Sequence, residues 1–141
     1  MGNVGRHVLV FDETVRRRGA LDRIASTEGH WVTLAASLDE AWAVLRSALH
    51  PLIVIVGLPL KLALDWDGAP LVDLVCDADL GATHAFIVIW GGSEEPNAEA
   101  RERVEQSGAG FVKWLRLPTA SENISHALQE AQRYLEGPRD D

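Results

Sequence analysis

Five short apolar segments, each separated from the next by a polar or helical pattern, limit the fold of this chain more than any other feature. Short apolar runs of this length are typical of strands, and the continuous β-branched composition of the first run is typical of a strand that is covered on both faces. The predicted strands are His7-Val8-Leu9-Val10-Phe11, Trp31-Val32-Thr33-Leu34-Ala35, Leu52-Ile53-Val54-Ile55-Val56, Ala85-Phe86-Ile87-Val88-Ile89-Trp90 and Phe111-Val112-Lys113-Trp114-Leu115.

Helical patterns follow each of these strands. The predicted helices cover residues 14–28, a segment opened by the capping box Ser37-Leu38-Asp39-Glu40, about 70–79, 97–107, and a last segment that starts near Thr119 or Ser121. Strands that alternate with helices predict an α/β fold with a parallel sheet and helices on both faces. Five such units suit the flavodoxin-like strand order 2-1-3-4-5 in a single domain of residues 1–141, with a core from about 7 to 135 and short flexible termini.

Composition excludes several classes of function. Thirteen basic and 21 acidic residues give a net charge of -8, which argues against a nucleic-acid-binding surface. The only basic run, Arg16-Arg17-Arg18, is interpreted as a solvated helix face. The N-terminus lacks the apolar stretch of a signal peptide, and the longest apolar run, 51–60, is too short to span a bilayer, so we expect a cytoplasmic protein. Cys76 is expected to be a buried thiol without a catalytic partner.

In the predicted topology a functional crevice lies at the carboxyl ends of strands 1 and 3, just after Phe11 and Val56. Asp12 and Glu13 follow strand 1 directly. Adjacent carboxylates are the hard oxygen ligands that Mg²⁺ prefers, although they can also cap the first helix. His30, His50 and His84 lack ligand spacing and are predicted to be surface histidines.

The segment Val8-Leu9-Val10-Phe11-Asp12-Glu13 resembles the opening of bacterial response-regulator receiver domains (CheY-like), in which an acidic pair holds a metal ion. The resemblance continues in Gly29-His30-Trp31-Val32, Ala36-Ser37-Leu38-Asp39-Glu40-Ala41, Asp67-Gly68 and Gly108-Ala109, from about His7 to Leu135. It implies a signal-transduction domain in a phosphorelay, with a phosphate-accepting aspartate at the end of strand 3.

The sequence departs from the receiver pattern at its switch positions. The phosphoacceptor position is Gly57, the hydroxyl residue expected at the end of strand 4 falls on Trp90, and the lysine expected in strand 5 corresponds to Lys113 in an uncertain register. We therefore expect a pseudo-receiver that is not an enzyme and that has no cofactor beyond weak Mg²⁺ at Asp12 and Glu13. Trp90 is predicted to pack toward Gly57 and to make the pocket apolar.

Several alternatives remain open at this stage. Asp65 or Asp67 could substitute as phosphoacceptor, and Lys113 could pair with Asp12 or Glu13 or face the solvent. Expected partners are a protein or an output domain of the same chain. The receiver family also suggests a homodimer through the face formed by the helix at 97–107, strand 5 and the last helix.

Two other functions fit parts of the sequence. The segments Gly110-Phe111-Val112-Lys113-Trp114-Leu115 and Arg133-Tyr134-Leu135-Glu136 resemble the N-terminal wing domain of pyridoxal-phosphate-dependent basic amino-acid decarboxylases, which assists assembly. A flavodoxin-type cofactor binder is disfavoured because the loop after strand 1 is acidic, whereas a flavin phosphate needs hydroxyl and amide donors.

Overall fold

The computed structural model describes residues 5–12, 14–58, 83–90, 102, 111–116 and 120–137. Its strands and helices, in chain order, are β1 (His7–Phe11), α1 (Val15–Thr27), β2 (Trp31–Ala35), α2 (Leu38–Ser47), β3 (Ile53–Leu58), β4 (Ala85–Trp90), β5 (Phe111–Arg116) and α3 (Ser121–Glu136). All five predicted strands are present. The helix predicted at 70–79 lies outside the described residues, and of the helix predicted at 97–107 only residue 102 is described, in a helical conformation.

The five strands form one parallel sheet in the order β2-β1-β3-β4-β5. This order confirms the prediction of a flavodoxin-like α/β fold. The strands with the most apolar runs, β1, β3 and β4, lie inside the sheet. Their side chains are fully or almost fully buried from Val8 to Phe11, from Ile53 to Val56 and from Ala85 to Ile89. Such strands need apolar residues on both faces.

Two apolar layers cover the sheet. Helix α2 contributes Ala41 and Leu45 to one layer, where Trp114 of β5 also packs. Helices α1 and α3 cover the other face through Leu21, Ala25 and a stripe on α3. That stripe, at helical spacing, consists of Ile124, Ala127, Leu128 and Ala131. The buried faces of α2 and α3 therefore agree with the sequence pattern.

The ends of α1 and α2 follow local chemistry. Gly29 has a φ of 92° just after α1, a left-handed conformation that glycine adopts without strain. Ser37 accepts a hydrogen bond from the Glu40 amide at 3.2 Å, as the predicted capping box requires, while the Glu40 carboxylate accepts from the amide of Ala36 instead of that of Ser37. The sequence pattern places Val15 on the apolar side of α1 with Leu21 and Ala25, but Val15 is the first residue of the helix and is 72% exposed.

The register at the carboxyl ends of the central strands positions the candidate site. Phe11 pairs with Val56, so Asp12 stands beside the residue that follows Val56. That residue, Gly57, still belongs to β3 and pairs with Ile89. The prediction that the strand ends at Val56 is therefore wrong by two residues, and Gly57 is a strand residue rather than the start of a loop.

Among the described residues, no helix has the length and apolar character that a membrane span requires.

Candidate functional site

Asp12 stands at the carboxyl end of β1, at the crevice that the topology predicts. Its side chain is completely buried. The amide of Thr14 donates a hydrogen bond to Oδ1 at 2.7 Å, as is common for a carboxylate just before a helix. A buried carboxylate requires a compensating positive charge as well as hydrogen bonds, because its transfer from water is otherwise very unfavourable.

Arg17 supplies that charge from the first turns of α1. Its Nε donates to Asp12 Oδ2, and its Nη2 donates to Oδ1 at 3.2 Å, so the guanidinium forms hydrogen bonds with both oxygens of the carboxylate. Two-point contacts between guanidinium and carboxylate are the strong form of this ion pair. The Arg17 side chain is only 17% exposed, so water screens the pair weakly.

Arg18 binds the same residue at a different atom. Its Nη1 donates to the backbone carbonyl oxygen of Asp12 at 2.8 Å. Consequently both carboxylate oxygens and the carbonyl oxygen of Asp12 accept hydrogen bonds from cationic side chains of α1. The prediction that the arginine run is a solvated helix face holds for Arg16, which is exposed, and is wrong for Arg17 and Arg18.

Gly57 faces this ion pair across the β1–β3 boundary. A Cβ atom built on Gly57 would overlap Oδ2 and Cγ of Asp12 and would lie 3.1 Å from Nε of Arg17. The space that a side chain at this position would need is thus taken by the carboxylate and the guanidinium. The expectation of an apolar pocket is wrong for the described side chains, because an ion pair occupies it.

The remaining switch-position residues fall in different places. The backbone of Trp90 pairs with Leu58, one residue beyond Gly57, while its side chain lies outside the described part, so its predicted packing toward Gly57 stays a prediction. Glu13 and the loop carboxylates Asp65 and Asp67 also lie outside the described residues.

Lys113 does not reach the crevice. It pairs with Ile87, two residues before the one that faces Gly57, and its Nζ lies 3.5 Å from Oε1 of Glu130 on α3. Both side chains of this pair are more than 40% exposed. The prediction that Lys113 pairs with Asp12 is wrong, whereas the alternative that it faces the solvent agrees with this exposure. Glu13, the other predicted partner, lies outside the described residues.

The described residues around Asp12 do not supply the set of oxygen ligands that a divalent cation needs. Receiver domains hold Mg²⁺ with several oxygen ligands at this end of the sheet, and hard cations of this kind need such a set. Here Gly57 offers no side chain, and every oxygen of Asp12 is engaged by the backbone or by arginine. Within the described residues no group of three or more His, Cys, Asp or Glu side chains could hold a metal ion.

Two buried histidines lie at the opposite, amino-terminal end of the sheet. Nδ1 of His30 accepts a hydrogen bond from the Arg6 amide at 2.9 Å, and Nδ1 of His84 accepts one from the Leu52 amide at 2.9 Å. Each bond holds the backbone just before a strand, and each requires an unprotonated Nδ1. The prediction of surface histidines is therefore wrong for these two, and correct for His50, which is exposed.

Burial changes the acidity of these imidazoles. Burial lowers the pKa of His84 from 6.5 to about 4, and the nearby His50 contributes in the same direction. Burial also lowers the pKa of His30, although the charge of Glu28 acts in the opposite direction. Both rings therefore stay neutral at physiological pH and act as structural acceptors.

The sequence contains a signal for the Asp12–Arg17 pair that the charge pattern hides. Arg17 precedes the buried residues Leu21 and Ala25 by four and eight positions, which places it on the same helix face as they are. An arginine on a buried face needs an acidic partner, and Asp12 is the carboxylate at the adjoining strand end. The charge of the three-arginine run alone does not show which of the three lies on the buried face of the helix.

Comparison with known structures places the fold among receiver domains. No protein-family model matches the chain, and no curated protein matches it in sequence. A CheY-like receiver domain protein of Methanospirillum hungatei superposes with a TM-score of 0.69 and 15% identity, over 94% of this chain and 98% of that one. The signal receiver domain of an HD domain-containing protein of Pseudomonas fluorescens gives 0.70 and 17%, over 95% and 99%.

A third similar structure is that of a receiver domain dimer. The beryllofluoride-activated NtrC4 receiver domain dimer superposes with a TM-score of 0.62 and 23% identity, over 89% of this chain and 98% of that chain. These likenesses establish that the chain has the fold of CheY-like receiver domains. They cover nearly all of each receiver, so the match is to a whole domain.

Proposed function

We propose that this chain is an atypical receiver domain that takes part in cytoplasmic signal transduction by binding another protein, without accepting phosphate at the end of β3. The observation that supports this proposal is the arrangement of Gly57 and Asp12. Gly57 offers no carboxylate, and the space beside it holds the Asp12 carboxylate and the Arg17 guanidinium.

A receiver fold without its reactive carboxylate retains its surfaces. Docking depends on side chains that stand on the outside of the helices and strands, whereas phosphate transfer depends on the crevice. The proposed partners are a separate protein or an output domain, with a homodimer through the face that includes β5 and α3 as one form. On the described part of that face, Phe111 and Tyr134 lie with ring centroids 5.6 Å apart, and Tyr134 is 39% exposed.

The decarboxylase-wing alternative gains no support from the structural comparison, in which the reported neighbours are receivers. We therefore propose a non-enzymatic signalling role only.

The test is exposure of the purified protein to acetyl phosphate with Mg²⁺, followed by intact mass measurement, beside a receiver that carries an aspartate at the end of its third strand. A second arm replaces acetyl phosphate with beryllofluoride and records amide NMR spectra. We expect the control receiver to respond in both arms and this chain to respond in neither. A stoichiometric phosphoryl adduct, for instance on Asp65 or Asp67, would overturn the proposal.

A further inference from the structure

Asp12 is a fully buried carboxylate at the position where receivers hold a metal ion, and it therefore needs a cation from some source. In this chain the cation comes from the same polypeptide. Arg17 stands five residues further along, so the turn from β1 into α1 carries its guanidinium back over the strand end. We propose that Arg17 takes the electrostatic place of a divalent cation at this site, which makes the site independent of Mg²⁺.

The geometry of the contact is that of a cation in the place of a metal ion, and not that of an incidental surface ion pair. The guanidinium binds both carboxylate oxygens of Asp12, which are the atoms that a metal ion would need. Arg18 occupies the backbone carbonyl oxygen of the same residue at 2.8 Å. A cation approaching Asp12 would have to displace these donors and would meet two positive charges at contact distance.

The absence of a side chain at Gly57 is matched to the position of the Asp12–Arg17 ion pair. A Cβ at position 57 would overlap the Asp12 carboxylate and would lie 3.1 Å from Arg17 Nε, so a side chain there would displace the carboxylate and crowd the guanidinium that holds it. The absence of a side chain at position 57 thus does two things. It removes a reactive carboxylate, and it leaves room for the Asp12 carboxylate in its contact with the fixed cation.

This inference rests on the proposed function and deepens it by stating that the charge of the site does not depend on a metal ion. In a metal-dependent receiver the charge of the crevice depends on the ion and on phosphate. Here the net charge of the Asp12–Arg17 pair is set by the chain itself. The partner-binding form is accordingly expected to be the same with and without Mg²⁺.

The experiment titrates Mn²⁺ into the ¹⁵N-labelled protein and follows paramagnetic broadening of amide signals at the end of β1, with Mg²⁺ shifts as a second readout. The proteins are the wild type, Arg17→Met and the control Arg16→Met, which removes an exposed charge of the same run. We expect no broadening centred on Asp12 in the wild type or the control. In Arg17→Met we expect local broadening and an affinity for Mn²⁺ raised on the order of tenfold or more, because a like charge in contact with the ligand is removed.

Site-specific broadening at Asp12 in the wild type would overturn the inference, and so would a folded Arg17→Met protein that gains none. The wild-type titration is decisive by itself if Arg17→Met does not fold. The two proposals fail separately. Mn²⁺ binding at Asp12 without a phosphoryl adduct contradicts only the metal inference, whereas an adduct formed in the absence of any divalent cation contradicts only the proposed function.

Discussion

The side chain of Asp12 lies in the volume that a side chain at Gly57 would fill. The two residues stand at the carboxyl ends of neighbouring strands, and the carboxylate is held there by Arg17. The crevice is therefore closed by a polar pair, and the missing side chain at position 57 is a requirement of the packing.

The first prediction concerns Gly57→Ala. The added methyl group would overlap the Asp12 carboxylate, so the ion pair must move while it remains buried. Overpacking of this kind destabilises by about 1–3 kcal/mol. Urea unfolding monitored by circular dichroism measures the change.

The matched control is Gly19→Ala in helix α1. A Cβ at Gly19 meets nothing within 4 Å, and alanine is the better helix former by about 0.5–1 kcal/mol. We expect this control to stabilise the protein. Equal effects of the two alanine substitutions would contradict the assigned packing at position 57.

The second prediction separates Arg17 from its neighbour Arg16. Arg17→Met leaves the buried Asp12 carboxylate without its charge partner, and breaking one side of a buried pair costs about 3 kcal/mol or more. Arg16→Met changes an exposed side chain and is expected to shift stability by less than about 0.5 kcal/mol. The measurement is the free energy of unfolding of both variants. A small loss in both would show that the pair contributes little.

Sequence reasoning predicted the framework well for a physical reason. The apolar runs of β1, β3 and β4 leave almost no alternative to buried strands, and the spacing of Ile124, Ala127, Leu128 and Ala131 admits only one buried face for the last helix. Period and hydrophobicity are local properties, so they can be read from the chain. The strand order 2-1-3-4-5 was predicted because it is a common order for a parallel sheet of five βα units.

The site was predicted only in part, because its chemistry depends on partners that the sequence does not place next to each other. Asp12 and Gly57 were identified from their positions after strands, but the cation that binds the Asp12 carboxylate beside Gly57 was not. That cation is Arg17, whose role depends on the direction in which α1 presents it. His84 illustrates the same limit, because its partner amide at Leu52 is 32 residues away.

The third prediction concerns the pH dependence of stability through His84. Its pKa is about 4 in the folded protein and 6.5 in the unfolded chain, so between these values the unfolded state binds more protons. The contribution of the neutral ring is complete above pH 6.5 and is lost as the pH falls toward 4. The two values correspond to about 3 kcal/mol, since one pKa unit is about 1.4 kcal/mol.

The measurement is urea unfolding from pH 7 downward for the wild type and His84→Asn. Asparagine places an oxygen where Nδ1 stands, so it can accept from the Leu52 amide without titrating. We expect the stability of the wild type to fall more steeply with acid than that of the variant. Parallel curves would contradict the assigned role of His84.

The fourth prediction is that the Lys113–Glu130 pair contributes little. The two atoms lie 3.5 Å apart, and the side chains are 41% and 45% exposed, so water screens the attraction. A double-mutant cycle with Lys113→Ala and Glu130→Ala is expected to give a coupling below about 0.5 kcal/mol. A coupling above about 1 kcal/mol would assign this position a structural importance that its exposure does not explain.

The shared volume at the end of β1 also constrains how the protein could be redesigned. Replacing Gly57 alone with Asp would place a second carboxylate in the volume that the Asp12 carboxylate already fills, and removing Arg17 alone would leave a buried anion without its cation. Each single substitution is expected to destabilise the protein, so a phosphate-responsive version requires changes at Gly57 and Arg17 together.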